Sequence, residues 1–309
     1  MVQAGDVKLA VYEAGEGTPV VLVHGWPEIA YSWKNQIQPL AQAGYRVIAP
    51  DLKGFGYSDA PLTPSLYSSR EMTSDLVRLL DSLGIEKAIF CGHDWGGALV
   101  WPMAQMHPDR VAGVIGVCTP HRAPPPVAPL GIIEKRFGPK HYFIQFQDQG
   151  RCEEEFAGEE EKFFKLMFRR PAPRSEWEKH IPQIYDLPGR LKSGPMPKDE
   201  EVFISSEHLR VYVDHYKQSG FHGGINLYRN IDVNYKISKE LDPIISHPSL
   251  WVGAEDDLFL PPEGADEMNS LVPDLEKHLI KNCGHWVMWE RPAELNTLML
   301  DWLKRRFPV

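Results

Sequence analysis

Three short stretches hold side chains whose types and spacing suit nucleophilic chemistry. In GHDWGG, residues 92–97, Asp94 sits at the centre of a small-x-X-x-small turn between an apolar run and a stretch able to continue as a helix. A strand–turn–helix elbow of this outline forces its central residue up at the strand end, where hydrolases usually carry a serine. A carboxylate there is already ionised at neutral pH and needs no base to activate it. The same position also reads as a helix cap, because Asp favours helix starts. HGWP, residues 24–27, follows the apolar run 20–23. A hydrolase of this layout takes its oxyanion donors from the backbone just after the nucleophile and from an early strand-to-helix loop. Those N–H groups are Trp95 and Trp26, since Pro27 has none. Taken alone, HGWP is equally a tight turn. NCGHW, residues 282–286, puts His285 on a glycine-led turn late in the chain, after three candidate acids, Glu255, Asp256 and Asp257. Position relative to the preceding strand favours Asp257.

Side chains so far apart in sequence need elements that bring them together. Apolar runs at 19–23, 45–49, 87–91, 111–117 and 250–252 end in glycine-rich or polar turns. Near-continuous apolarity over a few residues suits strands buried on both faces of a parallel sheet. Between them lie helical stretches such as 69–83, where Met72, Leu76, Leu79, Leu80 and Leu83 recur at three- and four-residue spacing. Alternating strands and helices imply an α/β fold with right-handed crossovers and a mostly parallel sheet flanked by helices. Such sheets bind ligands at the carboxyl ends of their strands. His24, Asp51, Asp94 and Asp257 all fall there. The rhythm breaks at the proline cluster 119–126, and from there to about 242 the chain reads as helical, charged and rich in aromatics. Its acidic runs, 153–155 and 159–161, read as solvated faces. The expected division is a core over 1–120 and 244–309, interrupted by a mainly helical cap over 121–243.

Composition narrows the function. A net charge of −9 argues against nucleic-acid binding, and no run approaches the roughly 18 apolar residues of a membrane span. The first residues show no basic region followed by an apolar block, so no signal peptide is expected. The four cysteines form no CxxC pair and read as free thiols of a reducing compartment, which makes the cytoplasm the expected location. With no metal-spaced histidine pair and no GxGxxG, no metal, nucleotide or organic cofactor is expected.

HGWPE with Tyr31-Ser32-Trp33, GYRVIAPDLKGFGYSDAP (44–61), GHDWGG, GFHGGINLYRN (220–230) and NCGHW together resemble the epoxide hydrolases of the α/β-hydrolase fold, from about Val20 to Trp289. That fold carries its triad in the order nucleophile, acid, histidine. The resemblance implies Asp94 as nucleophile, His285 as base, Asp257 as charge-relay acid, and Trp26 and Trp95 as oxyanion donors. It also implies two cap tyrosines, Tyr228 and Tyr142, that activate the epoxide oxygen. Trp26, Trp95, Phe143 and Phe146 would then line the substrate, with Phe143 standing where some members have glutamine. The expected partner is a small-molecule epoxide, with no nucleic acid or membrane, taken up by a monomer or homodimer. Two other readings use the same residues. One is a haloalkane dehalogenase, although the Trp26-Pro27 loop offers no Asn for the halide and the tyrosines would be superfluous. The other is a non-catalytic ligand receptor, since fold alone does not prove turnover. Glu28 in HGWPE is open between a contact to water and a place at the surface.

Overall fold

In the computed structural model, residues 1–170, 174–177 and 185–309 are described. Nine strands are found among them. β1 (Val2–Ala4) and β2 (Val7–Leu9) form an antiparallel hairpin that turns at Gly5, whose φ is +64°. The other seven are β3 (Val11–Ala14), β4 (Thr18–Val23), β5 (Tyr45–Pro50), β6 (Ala88–His93), β7 (Val111–Val117), β8 (Ser249–Ala254) and β9 (Leu275–Ile280). They make one sheet in the order β3-β5-β4-β6-β7-β8-β9, parallel throughout except for the β3–β5 edge pair. Each apolar run seen in the sequence becomes one of its inner strands. All six residues of β6 and of β8 are buried, as expected for strands covered on both faces.

The helices α1 (Lys34–Gln42), α2 (Ser69–Ser82) and α3 (Trp95–Met106) cross between strands. α2 buries Met72, Leu76, Leu79 and Leu80, the stripe its spacing predicts, and Ser68 caps it by accepting from the Glu71 N–H. The strands missed in the sequence are all short or marginal. β1 to β3 are three or four residues long and mix apolar residues with polar or charged ones, and β9 exposes Lys277, His278 and Leu279 on the open edge of the sheet. Register then sets up the site: Val23 lies level with Gly92, and Gly92 with Gly116. The loops after β4, β6 and β7 therefore emerge side by side.

Between β7 and β8 the described chain is mainly helical, including Pro129–Phe137, Tyr142–Gln145, Arg151–Phe156, Glu160–Met167, Ser206–Ser219 and His222–Arg229. One hydrophobic cluster runs from Val21, Val23 and Phe90 of the sheet through Trp26 into Phe146, Phe163 and Tyr212 of this insertion. Polar bonds fix the same junction. Tyr212 OH lies 2.8 Å from Ser32 Oγ and accepts from Trp289 Nε1 at 3.1 Å. The acidic run 153–155 is not the uniformly solvated face expected. Glu154 is exposed, but Glu153 forms an ion pair with Arg229, whose side chain is only 7% exposed. A single-residue run pattern cannot register a partner 76 residues away. No helix of the described residues is long and apolar enough to cross a membrane.

Candidate active site

Asp94 occupies the turn between β6 and α3 with φ 51° and ψ −118°, a backbone that L-residues rarely adopt. Small neighbours permit it: a Cβ on Gly96 would lie 2.0 Å from the Val23 carbonyl oxygen. Asp94 stands at the N-cap position of α3 but makes no side-chain cap bond, so its carboxylate is not spent on the helix. Thr119 Oγ1 donates to the Asp94 carbonyl at 2.7 Å and ties the elbow to the segment after β7. On the β4 side, the Trp26 N–H donates to Asp94 Oδ1 at 2.8 Å. Trp95 opens α3, so its N–H is among the helix-start donors without an intrahelical acceptor.

His285 faces both acids. Its Nε2 lies 3.7 Å from Asp94 Oδ2, and its Nδ1 lies 2.8 Å from Asp257 Oδ2. Asp257 is wholly buried, and its other oxygen accepts from the Phe259 and Leu260 N–H groups at 2.9 Å each. Asp256 is half-buried, and Glu255 accepts instead from the Asn282 N–H. Of the three candidates, Asp257 is the one against His285. Burial alone would lower the His285 pKa, but the Asp257 and Asp94 carboxylates outweigh it and raise it to about 9. Burial pushes Asp94 above the ordinary carboxylate range, opposed by His285, His93 and the Trp26 N–H. For Asp257 burial pushes the same way, but His285 and the backbone donors win and hold it below that range.

Tyr142 and Tyr228 come together over this site from the insertion, with ring centroids 5.4 Å apart and hydroxyls that interact with each other. Burial, together with the Asp94 charge, drives both phenols well above their ordinary pKa, so they remain neutral donors. Tyr228 also packs edge-on against Trp26 and Trp95. Two cavities meet here. The larger, about 570 Å³, is walled by Asp94, Trp95, Tyr142, Phe143, Tyr228 and Phe259 among others. The smaller, about 20 Å³, lies between Trp26, Asp94, His285 and Trp286, and has room for one water. Phe146 is wholly buried one layer behind, against Trp26 and Tyr228.

Several supporting residues were not read from the sequence. Glu28 is not at the surface. It is wholly buried, accepts from the Gly25 N–H, and lies 3.0 Å from His93 Nδ1. His93 Nε2 in turn meets the His285 carbonyl at 2.9 Å. Glu290 accepts from the Gly284 and Trp286 N–H groups and so fixes the turn that carries His285. Gln147 Nε2 donates to the carbonyls of Phe143 and Tyr228, and Arg229 Nε donates to that of Phe146. These bonds join the two tyrosine-bearing segments. The available signals were adjacency, as His93 precedes Asp94, Glu28 ends HGWPE and Arg229 follows Tyr228. Among the described residues His93, Cys118 and His285 bring ligand atoms within 4.8 Å of one another. Both His93 nitrogens and His285 Nδ1 are already engaged, which fits a bonded network better than a metal site.

The chain matches the α/β hydrolase fold family over residues 18–143 and 202–292. It is 37% identical over 309 residues to epoxide hydrolase A of Mycobacterium tuberculosis, covering 98% of this chain and 96% of that one. It is 39% identical to bifunctional epoxide hydrolase 2 of Sus scrofa across 96% of its own length. It spans only about half, 53%, of that relative. The crystal structure of epoxide hydrolase A from Mycobacterium thermoresistibile superposes with a TM-score of 0.89 at 34% identity, covering 98% of this chain and 97% of that one. The chain belongs to the epoxide hydrolases of the α/β-hydrolase fold.

Proposed function

We propose that this protein hydrolyses epoxides to vicinal diols through an ester on Asp94. The observation that carries the reading is one carboxylate that a histidine base and two phenols meet at the same void. A histidine–aspartate pair meets Asp94, two neutral phenols stand over it, and a one-water void bordered by His285 and by both phenols adjoins it. Asp94 Oδ1 is held by the Trp26 N–H, which leaves Oδ2 to attack an epoxide carbon from the face opposite the ring oxygen. The carbon–oxygen ring bond breaks and its electron pair goes to oxygen. Tyr142 and Tyr228 donate to that oxygen as it becomes an alkoxide, assistance typically worth ~10²–10⁴ in rate. The protons balance without an outside acid. His285 starts protonated, Asp94 becomes a neutral ester, the ring oxygen becomes a hydroxyl, and His285 ends neutral.

Loss of the Asp94 charge also removes one of the carboxylates that raise the His285 pKa, so the histidine becomes a base when one is needed. It takes a proton from water, whose oxygen adds to the Asp94 carbonyl carbon. The resulting oxyanion lies at Oδ1 against the Trp26 N–H, with Trp95 as second donor, each worth about 3 kcal/mol by analogy with other oxyanion holes. Collapse expels the diol oxygen, which takes the new acid's proton, and the charged Asp94–His285 pair returns. Asp257 orients the imidazole through Nδ1. The domain division into a core over 1–120 and 244–309 and a cap over 121–243 belongs to this reading, because the cap supplies the phenols.

A single turnover of styrene oxide in heavy-oxygen water tests it. Label is expected in the Asp94 carboxylate and not in the first equivalent of diol. Label entering the diol directly, with none in the protein, removes Asp94 as nucleophile. Halide released from 1-chlorobutane, with no diol from styrene oxide, would favour a dehalogenase.

A further inference from the structure

The larger cavity carries a charge pattern that catalysis does not use. Its wall includes Arg122 and Arg136, and among the described residues that line it Asp94 is the only carboxylate. His141 also lines it, but burial lowers its pKa to about 4, so it adds no charge at neutral pH. The described wall therefore holds two arginines to one carboxylate, in a protein whose overall charge is −9. Neither arginine is in an ion pair among the described residues. Arg122 packs its guanidinium onto Gly264, with Nε donating to the Gly264 carbonyl at 3.0 Å. Arg136 lies over the Phe137 ring, 5.0 Å from its centroid. The acid whose charge acts on Arg122, Glu267, is outside the cavity wall, and Asp232 lines a neighbouring groove that Arg136 also borders. Both arginines are solvent-accessible, so an entering molecule meets them, and the wall between them and Asp94 is apolar and aromatic. A volume of about 570 Å³ exceeds what an epoxide ring alone requires.

Resting on the epoxide reading above, we infer that the preferred substrates are epoxides bearing an anionic group, a carboxylate in the simplest case, which Arg122 and Arg136 receive while the ring reaches Asp94. Arginine suits this role because its planar donors pair with a carboxylate in bidentate fashion. At a solvent-accessible rim the gain is modest per contact, so it should read as a preference and not as an absolute requirement.

The test compares 4-(oxiran-2-yl)benzoate with its uncharged primary amide, using diol formation and kcat/KM. In the unaltered protein at ~0.01 M salt the carboxylate is expected to be preferred by about tenfold or more. The preference should shrink at ~1 M salt, where the screening length falls from ~30 Å to ~3 Å. The Arg122→Gln/Arg136→Gln protein should lose most of the carboxylate-to-amide ratio. Lys135→Gln removes a nearby exposed cation outside the cavity wall and should leave the ratio unchanged. Equal use of both substrates by the unaltered protein, or a ratio that survives the double substitution, overturns the inference while leaving epoxide hydrolysis intact. No diol from either substrate or from styrene oxide overturns both.

Discussion

At the scale of single residues, the protonation of His285 sets the strongest expectation. Its pKa, raised to about 9 chiefly by Asp257 and Asp94, means that it carries its proton below that pH and loses it as pH rises through it. The proposed ring opening uses that proton, so kcat/KM, which reports the free enzyme, should be level through neutrality and fall above about pH 9. Asp257→Asn removes a carboxylate that raises the pKa, and should move the alkaline fall to lower pH. A profile that instead climbs through pH 9 would mean that neutral His285 is needed in the first step. On the acid side, burial holds Asp94 above the ordinary carboxylate range, so the fall should begin at higher pH than for an exposed aspartate. Asp94, His285 and the backbone of Trp26 were legible because each sits in a turn motif that forces its position. Asp257 was separable from Asp256 only by its distance from a strand end. The Glu28–His93–His285 chain was not legible: it joins residues 65 and then 192 positions apart, and no local pattern encodes such a contact.

At the scale of elements, the inner parallel strands announced themselves because burial on both faces demands unbroken apolarity. The edge strands β3 and β9 bury too little to leave that signature. The cap helices were legible in character but not in arrangement, and their arrangement governs where the tyrosines stand. The short helix Tyr142–Gln145 and the helix His222–Arg229 are joined by ring packing of Tyr228 on Tyr142 and Phe143 and by hydrogen bonds from Gln147 and Arg229. Gln147→Leu removes donors to the Phe143 and Tyr228 carbonyls while leaving both phenols in the chain. Small misplacements of a reacting group cost up to ~10²-fold, so ring opening should slow by about 10- to 100-fold. Ester hydrolysis, in which the tyrosines take no proposed part, should hold its rate. Stopped-flow measurement of ester formation and decay separates the two. Equal loss in both steps would show general loosening and remove Gln147 as a positioning residue.

At the scale of the whole molecule, the question is whether core and insertion behave as two bodies or as one. Units joined by a small polar interface usually move and melt separately. Here the interface is a continuation of the core: Val21 and Phe90 of the sheet, Trp26 at the site, and Phe146, Phe163 and Tyr212 of the insertion belong to a single buried cluster. Opening that junction would expose aromatic surface at roughly 25 cal/mol for each Å². It would also separate Tyr212 from Ser32 and Trp289. Thermal unfolding should therefore be a single transition, with the same midpoint by far-UV circular dichroism, which is weighted toward helix, and by near-UV signal, which is weighted toward tryptophan, eight of the nine lying outside residues 121–243. Tyr212→Phe strands a buried hydroxyl and an indole N–H at a cost of about 1–3 kcal/mol. Both midpoints should fall together. A far-UV midpoint several degrees below the near-UV one, in either protein, would mean that the mainly helical insertion opens as a separate body. The tyrosines would then be delivered to Asp94 by a closing motion and not held there in advance.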